Sequence, residues 1–242
     1  MKRFFDLILS FVALVLLSPF LLLCSFIVWA YDKGLPFYVA PRVGKNGELF
    51  SMIKLRSMRV NADKTGVDST SSNDSRITPL GKIMRRYKLD ELPQLLNVLK
   101  GDMSFVGPRP NVKRETDLYS QEEKKILEVK PGITDFSSII FSDEGEILKD
   151  SQNPDVDYNQ LIRPWKSRLG ILYKEKKSFL LDLQILYLTG LCLFNRPKAL
   201  KAVQLTLRKL THDEKLIEVC GRSAKLSPSV PPGLETVVVK RG

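Results

Sequence analysis

The chain has 242 residues, of which 43% are hydrophobic and 27% charged, and its formal net charge is +11. That length holds one substantial core with at most a small appendage, and the basic excess suits nucleic acid, an anionic membrane face or a phosphorylated substrate. Cys24, Cys192 and Cys220 form no Cys-x-x-Cys pair and His212 is the single histidine, which excludes a disulfide scaffold, a zinc site and a Ser-His-Asp arrangement.

The first element is apolar. From Leu7 to Tyr31 the chain carries no charge, and a bilayer takes roughly 20 such residues as a helix. A cleaved signal is disfavoured by the length of the run and by Ile27-Val28-Trp29-Ala30-Tyr31, which offers no small-residue cleavage pattern. Two readings then compete. A crossing helix is the simpler, but Ser18-Pro19 falls mid-run, where proline removes a helix hydrogen bond. Lys2 and Arg3 precede the run while Lys33, Arg42 and Lys45 follow it. Positive charge at both ends fits a helix-break-helix hairpin that enters and leaves one face better than a crossing. Residues 1–33 are therefore expected to form a re-entrant hairpin broken at Ser18 and Pro19.

Asp32-Lys33-Gly34 reads as a turn, Pro36-Phe37-Tyr38-Val39 as a strand, and residues 42–47 as a basic hairpin loop leading to Leu49–Leu55. The polar stretch Asn61–Ser75 reads as a loop. Gly81–Tyr87 reads as a basic helix containing Lys82, Arg85 and Arg86. Leu92, Leu95, Leu96 and Leu99 then have the spacing of a buried helical stripe, with Pro93 suited to its first turn. This places Asp90 and Glu91 at or just before a helix start, where the dipole favours ionised acids; ordinary capping acids would sit there too. Two prolines frame Arg109 in Gly107-Pro108-Arg109-Pro110, a rigid loop able to hold a fork of donors for phosphate.

Glu122–Val129 reads as a short charged helix stopped by Lys130-Pro131-Gly132. Ile133–Phe141 reads as a strand or interface segment, and Ser142–Asn159 as polar surface. Phe179–Phe194 is apolar apart from Asp182 and Gln184 and has basic flanks, so it is a second span or an interfacial or core helix. The tail beyond Thr211 contains Pro228, Pro231, Pro232 and Gly233 and reads as an extended appendage. No internal repeat is visible.

Six pieces stand in one order. They are Lys2-Arg3-Phe4-Phe5-Asp6-Leu7 opening a hydrophobic run with Ser18-Pro19, Arg42-Val43-Gly44, Lys54-Leu55-Arg56-Ser57-Met58, Leu89-Asp90-Glu91-Leu92-Pro93-Gln94, Gly107-Pro108-Arg109-Pro110, and Lys130-Pro131-Gly132-Ile133-Thr134. In this order they resemble the bacterial sugar transferase family, the monotopic polyprenyl-phosphate phosphoglycosyl transferases, over residues 1 to about 190. Departures from the common pattern are Lys88, where many relatives have serine or threonine, and Asp135-Phe136-Ser137-Ser138-Ile139.

The resemblance implies an α/β fold: a membrane-associated, mostly helical small catalytic domain with a re-entrant helix hairpin and interfacial amphipathic helices. The expected division is a hairpin over 1–33, a transferase domain over 34–210 and an appendage over 211–242. It implies an enzyme of the cytoplasmic face of a bacterial inner membrane. That enzyme would move a sugar 1-phosphate from a UDP-sugar to undecaprenyl phosphate, release UMP, and so begin surface glycan assembly. Asp90 would be the nucleophile and carry the phosphosugar, Glu91 would orient reactants, and both would lie close to Mg2+. A carboxylate can serve as a phosphoryl nucleophile, and Lys54, Arg56, Arg85, Arg86 and Arg109 are the candidate phosphate contacts. The partners expected are a UDP-sugar, undecaprenyl phosphate and the lipid bilayer, with homodimerisation open. Nucleic acid is set aside, because no recognition module is present. The rivals are an inactive membrane scaffold or regulator and a lipid-phosphate hydrolase.

Overall fold

The uncharged run forms α1, Lys2–Asp32, which in the computed structural model continues through Ser18-Pro19 as one helical element. Residues 1–62 and 69–239 are described. Proline has no N–H to give the carbonyl four residues back, which here is Val15; the Ser18 hydroxyl donates to that carbonyl instead, at 2.8 Å. The helix assignment is thus unbroken where the sequence predicts a break.

Only Asp6, Ser10 and Val28 of α1 are buried. Both ends touch the body of the protein: Phe5 packs edge-on against Phe179 with ring centroids 5.4 Å apart, and Val28 packs with Leu55 and Met84. Between them Phe11, Val15, Leu16, Phe20, Leu22 and Phe26 are exposed. Apolar surface of that extent is not left to water. Among the described residues α1 is the one helix long and apolar enough to cross a membrane, and it makes this a membrane-associated protein.

Next, β1 (Phe37–Val43) and β2 (Leu49–Leu55) pair antiparallel, with Phe37 opposite Leu55 and Val43 opposite Leu49. Ala40, Val43, Met52 and Leu55 are buried; three apart on each strand, they lie on opposite faces of the hairpin, so both faces are partly covered by the rest of the fold. The expectation of a loop over Asn61–Ser75 falls partly on residues 63–68, which lie outside the described residues. α2 (Pro79–Arg86) starts at Thr78, whose side chain accepts from the Gly81 N–H at 2.9 Å. A 3-10 turn, Leu89–Glu91, precedes α3 (Gln94–Lys100), and Gly101 ends α3 in the left-handed region with φ 100. The expected stripe is displaced: Leu95 and Val98 are buried whereas Leu96 is exposed. The inner face of so short a helix is set by Gln94, Leu95, Asn97 and Val98, which turn together towards the rest of the fold.

β3 (Ser104–Val106) follows, then α4 (Lys113–Thr116), α5 (Gln121–Lys124) continuing into a 3-10 turn, and β4 (Gly132–Thr134). β3 and β4 pair in parallel, with Ser104 opposite Gly132 and Val106 opposite Thr134. Their approach is too close for side chains: a Cβ on Gly132 would lie 2.1 Å from the Gly107 nitrogen. The two glycines therefore let the Pro-Arg-Pro loop start directly against β4.

Of the strand or interface segment expected over Ile133–Phe141, the strand ends at Thr134. Asp135 accepts from the Ser138 N–H at 2.6 Å, an N-cap that starts α6 (Phe136–Ile140). α7 (Glu144–Ile147) and α8 (Pro154–Asp157) follow. The stretch expected to be surface instead places Leu148, Tyr158 and Asn159 inside. A π-helical turn, Tyr158–Ile162, leads into α9 (Arg163–Lys176), followed by α10 (Phe179–Phe194), α11 (Arg196–Leu210) and α12 (Glu214–Cys220).

The main core joins Phe136, Ile139 and Ile140 of α6 with Ile162, Trp165, Leu169, Ile185 and Leu207. Leu216, Ile217 and Cys220 of α12 belong to it too, so part of the segment beyond Thr211 is core. α10 is not a second span. It buries Leu181, Asp182, Ile185 and Leu188 and exposes Leu180, Tyr187, Leu193 and Phe194. Over the described residues the protein is a small, mostly helical domain carrying one long apolar helix and two short two-stranded sheets.

Candidate active site

Asp90 and Glu91 sit on the 3-10 turn that opens α3. Lys88 turns the chain into it with φ 57, a left-handed conformation that costs a residue with a Cβ about 1 kcal/mol. Glu91 faces two cations. The Arg109 guanidinium binds its carboxylate through both terminal nitrogens, one at 3.2 Å, and the Lys54 ammonium lies 3.5 Å away. Lys54 comes from β2 and Arg109 from the loop after β3, so three separate segments meet here.

Asn97 bolts two of those segments together. Fully buried in α3, it donates to the Ser51 carbonyl at 2.7 Å and accepts from the Ile53 N–H at 3.0 Å. That fixes β2 next to Lys54. Arg85 joins from α2: its Nε donates to the Ser57 hydroxyl at 2.9 Å, and its charge acts on Asp90 and Glu91.

The electrostatics follow from this crowding. Burial pushes the Glu91 carboxyl up, but the charges of Arg109, Lys54 and Lys88 outweigh it and hold the group well below the ordinary carboxylate range. Burial pushes Lys54 down to about 8, against the opposing pull of Glu91. Glu91 raises Arg109, and burial lowers Arg85. Glu91 is thus a fixed anion committed to its cations.

Asp90 differs. It is buried, and its Oδ1 has no hydrogen-bond partner. Gln94, one helical turn on, is fully buried with neither side-chain amide atom paired. Buried polar atoms left unpaired by the protein are those that a ligand, ion or water satisfies.

Of the expected site residues, Lys54, Arg85, Asp90, Glu91 and Arg109 come together. Arg56 does not: both its terminal nitrogens bind Asp32, at 2.6 and 2.5 Å, and its Nε donates to the Leu35 carbonyl. Arg86 is exposed on α2 beside the Tyr87 ring, 5.7 Å from its centroid. Ser18 and Pro19 lie in the exposed middle of α1. Asn97 lies outside every motif and gives only the signal of an amide set in an apolar helical stripe; Gln94 closes the Leu89–Gln94 motif, which does not by itself mark it as a site residue. Beside Arg109 a polar cleft is lined by Asp135, Ser137, Tyr158 and Lys166, and the buried Ser137 hydroxyl is unpaired.

Among the described residues no three His, Cys, Asp or Glu side chains come together to cage a metal. Mg2+ usually keeps several waters and is held by one or two carboxylates plus substrate phosphates. The Asp90 carboxylate, buried and not fully paired by the protein, fits that mode. The Glu91 oxygens are already taken by Arg109 and Lys54.

The profile of the family described as bacterial sugar transferase matches residues 1–196. The chain is 39% identical over 148 residues to the exopolysaccharide production protein ExoY of Sinorhizobium fredii, an alignment covering 55% of this chain and 66% of that protein. It is 34% identical over 186 residues to the UDP-glucose:undecaprenyl-phosphate glucose-1-phosphate transferase of Caulobacter vibrioides, covering 74% and 69%. It is also 34% identical over 204 residues to the undecaprenyl-phosphate galactose phosphotransferase of Salmonella typhimurium, covering 74% of this chain but 40% of that protein. The chain thus spans just under two thirds of the ExoY protein and less than half of the Salmonella relative.

Proposed function

Because this chain belongs to the bacterial sugar transferase family, we propose that it transfers a sugar 1-phosphate from a UDP-sugar to undecaprenyl phosphate and releases UMP. The observation that carries the reading is the division of labour between two adjacent carboxylates. Glu91 is held by Arg109 and Lys54, whereas the Oδ1 of Asp90 is buried and unpaired. A nucleophile must be free to form a bond, and a positioning anion must not be.

In this reading Asp90 Oδ1 attacks the β-phosphorus of the donor. The bond from that phosphorus to the bridging oxygen breaks, and UMP leaves with the electron pair. The phosphosugar remains on Asp90 as an acyl phosphate. An oxygen of the acceptor phosphate then attacks the same phosphorus, and the bond to Asp90 breaks to regenerate the carboxylate. Arg109, Lys54 and Arg85 neutralise charge gathering on the phosphoryl oxygens. The Asp90 oxygen that does not attack, with the donor's phosphates, would hold Mg2+, which when bound neutralises the diphosphate. The cleft lined by Asp135, Ser137 and Tyr158 lies beside Arg109 and would take polar groups of the donor.

The membrane arrangement belongs to the same proposal. α1 enters one leaflet from the cytoplasmic face and returns, with Ser18-Pro19 at its apex. Supporting this, both its ends touch the same body while its middle is exposed, and basic residues lie at both ends, as the positive-inside tendency asks of a helix that does not cross. The exposed Leu180, Tyr187, Leu193 and Phe194 of α10 would rest at the interface, with neighbouring lysines and arginines at headgroup level. The acceptor then keeps its tail in lipid while its phosphate reaches Asp90.

Lys54 gives the reading a pH signature. With its group near 8, it loses its charge above that pH, so the KM for donor should rise by about tenfold from neutral to strongly alkaline pH, the order of one charge-assisted hydrogen bond. In Lys54→Met the KM should be high and flat with pH; a profile parallel to wild type would contradict the assignment. Stability moves the other way. Between about pH 8 and 10.5 the unfolded chain holds a proton that folded Lys54 has released, so this residue's contribution to stability rises with pH over that window.

The test of the reaction class is nucleotide release by the purified protein in nanodiscs, with Mg2+ and a panel of UDP-sugars, with and without undecaprenyl phosphate. Steady-state UMP release that requires the acceptor is expected. UDP release would mean ordinary glycosyl transfer, acceptor-independent steady-state turnover would mean hydrolysis, and no release from any donor would favour a scaffold.

A further inference from the structure

All four charged residues of α1, Lys2, Arg3, Asp6 and Asp32, reach segments that carry the site. Lys2 Nζ donates to the Val106 carbonyl at 2.9 Å and pairs with the buried Asp182 at 2.6 Å. The Tyr173 hydroxyl donates to the other oxygen of Asp182, also at 2.6 Å. Asp6, itself buried, accepts from the Phe105 N–H at 3.2 Å. Phe105 and Val106 are the end of β3, which runs straight into Gly107-Pro108-Arg109.

Arg3 donates to the carbonyls of Val98 and Leu99 at 2.6 and 2.9 Å. These belong to the last turn of α3, where cations satisfy free carbonyls, and the same helix begins just after Asp90-Glu91. At the far end of α1, Asp32 takes both terminal nitrogens of Arg56. Arg56 lies two residues beyond Lys54, at the end of β2. One membrane helix therefore holds each of the three segments that bring Arg109, Asp90-Glu91 and Lys54 together.

We propose that α1 is the clamp that sets the alignment of the site, with Lys2, Arg3, Asp6 and Asp32 as positioning residues that couple membrane seating to turnover. Charge-assisted hydrogen bonds of this kind are strong and directional, and each here spans from the anchor to a backbone group, an aspartate or an arginine on the body. The exposed apolar middle of α1 meets lipid; its charged ends meet the machinery. The clamp rests on geometry alone, and only its link to turnover rests on the reaction proposed above.

Hydrogen exchange of the nanodisc-bound protein separates the two. In Arg3→Gln the amides over 97–101 should exchange about tenfold faster than in wild type, and in Asp32→Asn those over 53–58, the order expected when one anchoring contact is lost. Residues 12–27 and the α9–α11 core should be unchanged. Unaltered exchange at the anchored segments would overturn the clamp, as would a uniform increase along the chain, which would mark a general loss of stability. The functional link is read by kinetics: kcat should fall about tenfold in Asp32→Asn with donor KM within about twofold, and the exchanged pair Asp32→Arg with Arg56→Asp should restore it. A double variant no better than the singles would overturn the coupling. A wild-type protein inactive on every donor would defeat the proposed reaction while leaving the exchange result to decide the clamp.

Discussion

Replacing Asp90 by asparagine is expected to lower turnover by about 10³-fold or more, the order associated with losing a covalent nucleophile, while leaving the protein folded. Asparagine keeps the volume, and the Oδ1 atom has no hydrogen bond to lose. Unfolding in detergent should therefore shift by less than about 1 kcal/mol. A variant retaining more than about a tenth of wild-type turnover, against the loss anticipated for a nucleophile, would place the attacking group elsewhere. Glu91→Gln makes the useful contrast, because it weakens the hold on Arg109 and Lys54 and so disturbs stability and rate together.

Replacing Arg109 by alanine should also act on both, for a different reason. Turnover should drop by about 10²–10³-fold, the range for removing one preorganised donor from developing charge. The fold should lose about 2 kcal/mol, below the full cost of stripping a partner from a buried pair. The discount is set by exposure: the Arg109 side chain is 29% exposed and that of Glu91 12%, so solvent screens part of the loss, and Lys54 remains beside Glu91. Arg109→Lys should recover much of the stability and little of the rate, because an ammonium cannot reproduce a two-pronged contact. Kinetics and chemical unfolding on the same preparations check both; an alanine variant within about threefold of wild-type turnover, where a preorganised donor is worth far more, would remove Arg109 from the site.

The parts of this site legible in the sequence were those fixed locally. A long uncharged run makes a helix wherever it is placed. Pro93 after two acids marks a helix start, and prolines on either side of Arg109 mark a rigid loop; each is a property of a few adjacent residues. What could not be read is which cation meets which carboxylate. Lys54, Arg56, Arg85 and Arg86 look alike as basic residues near phosphate-type motifs. Packing sends Lys54 to Glu91 and Arg56 to Asp32, 24 positions away, while Arg86 stays exposed. The same limit applies to Asn97, whose partners Ser51 and Ile53 are distant in sequence, and to α12, whose apolar positions look ordinary until they meet α9–α11. The strand expected after Ile133 failed through one side chain, Asp135, whose N-cap outweighs an alternating pattern only three residues deep in β4.

The most direct measurement of the central claim is made without acceptor. Purified protein mixed rapidly with Mg2+ and its UDP-sugar should release a burst of UMP equal to the enzyme present and then stop. Digestion should then recover a phosphosugar on the peptide containing Asp90, absent in Asp90→Asn, and adding undecaprenyl phosphate should discharge it. No burst in a preparation that turns over with acceptor would mean direct transfer between the two substrates, and a phosphosugar on Glu91 would reverse the roles of the pair; either would contradict the account.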